Sequence, residues 1–174
     1  KGLEDIFVQV IDENQSNYLE KLVLKKIKKL RNLKDPNSEV GLKNINLTNS
    51  EKSWLFNVSK SEWENWEVEI KEASKKMLSQ GIINTLAFEQ LNEASSLQLV
   101  NLGVKESPNR SLGAKVLSIS FHQKSNLKVD YSKTNILLRK LIDDNEQNTI
   151  EVKQGSLISK KGEPISSQEF DILE

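Results

Sequence analysis

The sequence has no cysteine, so a disulfide frame, a thiolate zinc site and a cysteine nucleophile are all excluded, while the redox compartment stays unread. Its single histidine, His122, is too little for a histidine-rich metal site, and no nucleophile-elbow motif accompanies it for serine catalysis. Nowhere does it approach the roughly 18–20 consecutive apolar residues that cross a bilayer. Excess charge of either sign is missing too: 25 basic residues balance 25 acidic ones, which argues against a dedicated nucleic-acid binder.

What is present suffices for a folded core. Of 174 residues, 36% are apolar, a length and share that predict one domain, with two small ones as the alternative. The sequence opens at Lys1 rather than Met, and we expect a piece of a longer chain. Ile6 to Ile11 is β-branched and aromatic and predicts a strand. A helix is predicted from Tyr18 to Leu33 on the stripe Leu19, Leu22, Val23, Ile27 and Leu30, stopped by Asp35-Pro36-Asn37. Asn37 to Ser53 is polar and reads as loop. Trp54 to Val58 is either a brief strand or the lead-in to the next helix.

That helix is predicted to start at the capping box Ser61-x-x-Glu64, to carry Trp63, Trp66, Ile70, Ala73 and Met77 on one face, and to stop at Gly81. Another should run from about Asn84 to Val100 with Leu86, Leu91, Ala94 and Leu97 inward. Residues 112–122 stay open between two structures. Leu117, Ile119 and Phe121 alternate with serines as in a strand, whereas Leu112, Val116 and Ile119 fit a helix from Asn109. Tyr131 to Asp143 reads as helix. Thr149 to Lys160 reads as a hairpin around Gly155, and Ser166 as the cap of a short helix to Leu173.

Few residues suggest chemistry. Lys21 to Lys34 holds six lysines, one arginine and no acid; it suits anionic headgroups or nucleic acid, but a solvated face of an amphipathic helix is the simpler reading. Glu62, Glu64, Glu67, Glu69 and Glu72 form an acidic counterpart. These faces are expected to lie near each other or to meet across a homodimer, so charge reversal at Lys25, Lys28 and Lys29 should change association. Trp54, Trp63 and Trp66 fall within thirteen residues of sequence and are the candidate ligand-binding residues, as a cation cage or a stacking surface. Trp63 and Trp66 share a helical stripe with Ile70 and Met77, so core packing is the simpler reading. Asp143, Asp144 and Glu146 lack calcium-loop order, and Gly155 and Gly162 do not form a phosphate loop. No catalytic residue, metal site or cofactor is predicted.

The segment from Val152 through Gly155, Ile158, Gly162, Pro164 and Ile165 to Phe170 and Leu173 resembles the end of a known domain. That domain is the extracytoplasmic part of the seven-transmembrane HD-hydrolase family, the PgpH-like membrane phosphodiesterases of cyclic di-AMP. Asn126-Leu127 with Asp130, Thr134 and Arg139 resembles the segment before that hairpin. Trp63 through Met77 to Ile83 resembles cyanobacterial members, and Phe7 to Asp12 resembles the family's strand. Two departures stand out: Ser125-Asn126-Leu127 replaces the usual Pro-Asn-Leu, and Asp143 to Thr149 replaces a Val-x-Pro-Val lead.

The resemblance implies an extracytoplasmic location on a multi-pass membrane protein whose metal-binding HD motifs lie in a separate cytoplasmic domain. It therefore carries no catalytic residue onto this sequence. The expected fold is α+β, mainly helical, with a small sheet joining the Ile6–Ile11 strand to the C-terminal hairpin, which would put both termini on one side. The expected role is a non-catalytic sensory or regulatory domain, the rival a structural module for oligomerisation. Expected partners are an extracellular small ligand or protein, the parent's transmembrane helices and a second copy, with no nucleic acid.

Overall fold

The computed structural model describes residues 7–32, 45–104 and 108–147. It is mainly helical, with one small antiparallel sheet. The chain divides into two compact units, one of Lys1–Val8 with Asp130–Glu174 and one of Gln9–Val129.

The larger unit opens with β1 (Gln9–Ile11) and closes with β2 (Leu127–Val129), paired antiparallel with Gln9 opposite Val129 and Ile11 opposite Leu127. The expected strand thus forms, over its second half, and its partner is Leu127–Val129. The predicted hairpin and the helix at Ser166 lie outside the described residues.

Helix α1 (Glu13–Arg31) starts five residues earlier than its apolar stripe suggests. Asp12 caps it, its Oδ1 accepting from the amides of Asn14 at 2.9 Å and Gln15 at 3.2 Å. Leu19, Val23, Ile27 and Leu30 are buried as the stripe predicts. The predicted loop is cut short at Asn49, where α2 (Asn49–Asn57) begins, because Thr48 and Glu51 form a capping box. Trp54 therefore belongs to a separate helix. Helix α3 (Lys60–Gln80) is capped by Ser59 and Glu62, not by Ser61 and Glu64. The same Ser-x-x-Glu pattern occurs two residues upstream, and the earlier box yields the longer helix. Gly81 ends α3 at φ 88°, a conformation that disfavours side chains. A Cβ there would also come within 2.8 Å of Leu127.

Helix α4 (Phe88–Asn101) begins four residues later than expected, after a turn at Asn84 and Thr85. Its inward face is Leu91, Ser95 and Leu99, while Leu97 is 60% exposed and Ala94 is also exposed. Leu91 is buried and Leu86 packs against the core as expected, whereas Ala94 and Leu97 give way to Ser95, whose buried hydroxyl is directed at Met77 Sδ at 3.6 Å. Helix α5 (Asn109–Phe121) settles the open segment as helical. It packs against α1, α2, α3 and α4 and buries residues around most of its circumference. Such a helix has no amphipathic period to read. Its buried Ser118 and Ser120 bond back to the carbonyls of Ala114 at 2.7 Å and Val116 at 2.6 Å. Two satisfied serines among apolar residues produced the false strand alternation.

In the smaller unit, the described residues are 7–8 and 130–147, with α6 (Tyr131–Gln147). Val8 donates to Thr134 Oγ1 at 2.9 Å and accepts from the Asp130 amide at 2.8 Å. Thr134 is buried, and its hydroxyl donates a hydrogen bond to the Asp130 carbonyl at 2.8 Å.

Candidate functional site

The three tryptophans come together. Trp63 and Trp66 sit one turn apart on α3, and Trp54 reaches them from α2. Ring centroids lie 5.1 Å apart for Trp63–Trp66, 5.4 Å for Trp54–Trp66 and 6.1 Å for Trp54–Trp63. Trp66 is sealed, and its Nε1 donates to the Asn109 carbonyl at 2.9 Å, tying α3 to the start of α5. Trp63 is 5% exposed, and its buried Nε1 has no partner. Trp54 is half-buried. The rings pack against one another, Trp54 stacked on Trp63 and both tilted against Trp66, rather than standing apart around an open centre.

Trp63 also forms one wall of a cavity of about 280 Å³ between the end of α1 and the α2–α3 junction. Leu30, Leu55 and Val58 supply its apolar lining, Arg31, Ser59 and Lys60 its polar part. The cavity is half open to solvent, and more of its lining is polar than apolar. A second concavity, about 430 Å³, lies between the first turns of α1 and the last turns of α3, where Glu13, Glu20 and Lys75 face Ile11 and Leu78.

Beside the second concavity lies a polar junction built on Asn126, which is fully buried. Its Oδ1 accepts from the Ile82 amide at 2.6 Å, and its Nδ2 donates to the Leu78 carbonyl at 2.7 Å and to Ser16 Oγ at 2.8 Å. Its own amide donates to the Ile82 carbonyl at 3.2 Å, and its carbonyl accepts from the Asp12 amide at 2.7 Å. One side chain thereby fixes the start of α1, the end of α3 and the approach to β2. A second buried centre is Glu51. Ser111 Oγ donates to it at 2.6 Å, Lys115 Nζ at 2.7 Å and the Thr48 amide at 2.7 Å. Burial alone would raise the pKa of this carboxyl, but those donors, Lys115 foremost, outweigh it and hold the pKa below the ordinary 4.5. Sequence reasoning assigned neither centre. The Thr48-x-x-Glu51 box was readable, whereas pairing with Lys115, sixty-four positions away, was not.

The acidic run does not form one face. At 3.6 residues per turn, Glu64 and Glu67 fall on one flank of the buried stripe, where Lys60 and Lys71 pair with them at 3.9 and 2.7 Å. Glu62, Glu69 and Glu72 fall on the other flank. Among the described residues, no ion pair joins these glutamates to the lysines of α1; the pair that crosses from α3 to α1 is Lys75–Glu20 at 4.0 Å. Glu69 has its pKa raised, first by burial and then by Glu72. His122, at the end of α5, meets the Phe88 ring edge-on at 5.8 Å. Among the described residues no three metal-ligating side chains converge, and no helix is long and apolar enough to cross a membrane. Gly155 and Gly162 lie outside the described residues.

Neither curated proteins nor solved structures give a significant match to this sequence. The profile of a domain family described as 7TM-HD extracellular, however, matches residues 3–174. That span takes in both units, including the ribbon, the tryptophan helix and the Asn126 junction. The chain therefore belongs to the 7TM-HD extracellular family, the outward-facing domain of membrane proteins of the HD type.

Proposed function

We propose that the chain is the sensory and regulatory extracytoplasmic domain of a membrane-bound HD-type phosphodiesterase acting on cyclic di-AMP, of the cyanobacterial type. The observation that carries this reading is the family match over residues 3–174. The resemblance at Asn126-Leu127, Asp130 and Thr134 supports it, since these residues are the joints of the fold. Asn126 ties three elements of the larger unit together, and Thr134 with Asp130 holds Val8 to α6. In this reading the domain breaks no bonds. A ligand or partner with different affinities for two arrangements of the domain shifts their populations, and the parent's helices pass the shift to the hydrolase. The cavity walled by Trp63 is the proposed ligand site, because there one of the candidate tryptophans adjoins open space.

Thermal-shift screening of the 174-residue chain against small metabolites and cell-wall fragments tests the proposal. A ligand at a hundred times its dissociation constant should raise the melting temperature by about 5–10 °C. The rise should vanish in Trp63→Phe combined with Arg31→Ala. Phosphodiesterase activity in the isolated chain would overturn the reading. A second reading, assembly, draws on α6, where Tyr131, Ile136, Leu137 and Ile142 are 37–71% exposed. Concentration-dependent dimerisation without any ligand hit would favour it.

A further inference from the structure

The solvent side of α1 carries a feature that ligand sensing does not use. Tyr18, Lys21, Lys25 and Lys28 recur at three- and four-residue steps and stack along the side opposite the buried Leu19, Val23, Ile27 and Leu30, with Lys29 alongside. All five are exposed, Tyr18 by 51%. No acid occurs between Lys21 and Lys34, and among the described residues no ion pair ties these lysines to a carboxylate. Lys26, on the flank, has its pKa lowered by burial and then by Lys124, Lys29 and Lys25, which marks a crowd of like charges. The chain as a whole is neutral, so the positive potential is local and directional.

We propose that this stripe is a docking surface for the anionic phospholipid headgroups of the bilayer that holds the parent protein. Family membership places this domain on a membrane protein, beside a bilayer, so contact requires no diffusive encounter. Lysines are hydrated point charges suited to a diffuse layer of phosphates, whereas bidentate reading of single phosphates or bases favours the arginine fork. A half-exposed tyrosine in line with them fits the headgroup zone, where amphipathic rings settle. The inference rests on the extracytoplasmic placement, not on the regulatory reading, so an empty ligand screen leaves it standing.

The test is co-sedimentation of the 174-residue chain with vesicles of phosphatidylcholine alone or with 30% phosphatidylglycerol, at low and physiological salt. We expect binding only to the anionic vesicles, weakened by salt, and falling about fivefold for each stripe lysine neutralised. The triple variant Lys21→Glu, Lys25→Glu, Lys28→Glu should lose binding. The variant Lys60→Glu, Lys75→Glu, Lys76→Glu, with the same change of net charge on α3, should keep most of it. Circular dichroism checks that both variants fold. Equal loss in both, equal binding to neutral vesicles, or retention on single-stranded oligonucleotide without vesicle binding would each overturn the proposal.

Discussion

The two ends of α3 are built on opposite terms. At its C-terminal end every polar group of Asn126 is answered, by Ile82, Leu78, Ser16 and Asp12, and Gly81 lets the chain turn close beneath Leu127. At its N-terminal end three indoles pack together, one N–H is left without an acceptor, and a cavity remains beside it. A buried polar group with all its partners fixes one geometry, because any shift strands several donors at once. At the indole cluster one donor is already unanswered and a cavity adjoins it, so a shift there strands fewer hydrogen bonds. The first end holds the elements in register; the second has room to respond.

Substitutions can break this comparison. The largest effect is expected from Asn126→Ala, which leaves the Ile82 amide, the Leu78 carbonyl and Ser16 short of partners. It should cost about 3–5 kcal/mol in chemical denaturation. A cost near that of an ordinary surface change would remove the distinction between the two ends. Next comes Lys115→Met, which strands buried Glu51 and should cost about 3 kcal/mol at neutral pH. Because the folded pKa of Glu51 lies below its unfolded 4.5, its stabilising contribution is complete above that pH and is lost as pH falls through the folded value. Glu51→Gln should flatten that acid limb, which a denaturation series from pH 6 to pH 3 would show.

A sharper comparison is within the tryptophan cluster. Trp66→Phe abandons a hydrogen bond to Asn109 that Trp63→Phe does not, so it should cost about 1 kcal/mol more. Equal costs would mean the Trp66 bond is not formed in solution. The smallest effect is expected at Glu69. Its raised pKa means that charging it disfavours the folded state, a cost absent at low pH and present at neutral pH. Glu69→Gln should therefore stabilise by about 0.5 kcal/mol or less at pH 7, with the gain vanishing near pH 4.

Legibility in the sequence followed how local each signal was. The stripes of α1 and α3 were readable because their buried residues repeat at helical spacing, whereas the caps were not: α1 is capped at Asp12, ahead of its stripe, and two overlapping Ser-x-x-Glu patterns compete to start α3. α5 was not, because a helix covered on most sides shows no period and its serines are satisfied by their own backbone. Ser95 misled the reading of α4 in the same way: a buried hydroxyl looks like solvent exposure in one dimension. The tryptophans were identified from spacing, and their mutual stacking agrees with the core packing their spacing allowed. Asn126 entered through resemblance alone, since its five hydrogen bonds join positions 12, 16, 78 and 82 to 126.

The short ribbon has a mechanical consequence. Gln9 lies opposite Val129, so the larger unit is entered and left at neighbouring points. Tension applied through those two points peels the rungs of β1 and β2 apart in turn, as a zipper opens, instead of shearing them all together. Three rungs down, the pull arrives at Asp12 and Asn126, so the first strong resistance a tug on this unit meets is a single carboxamide.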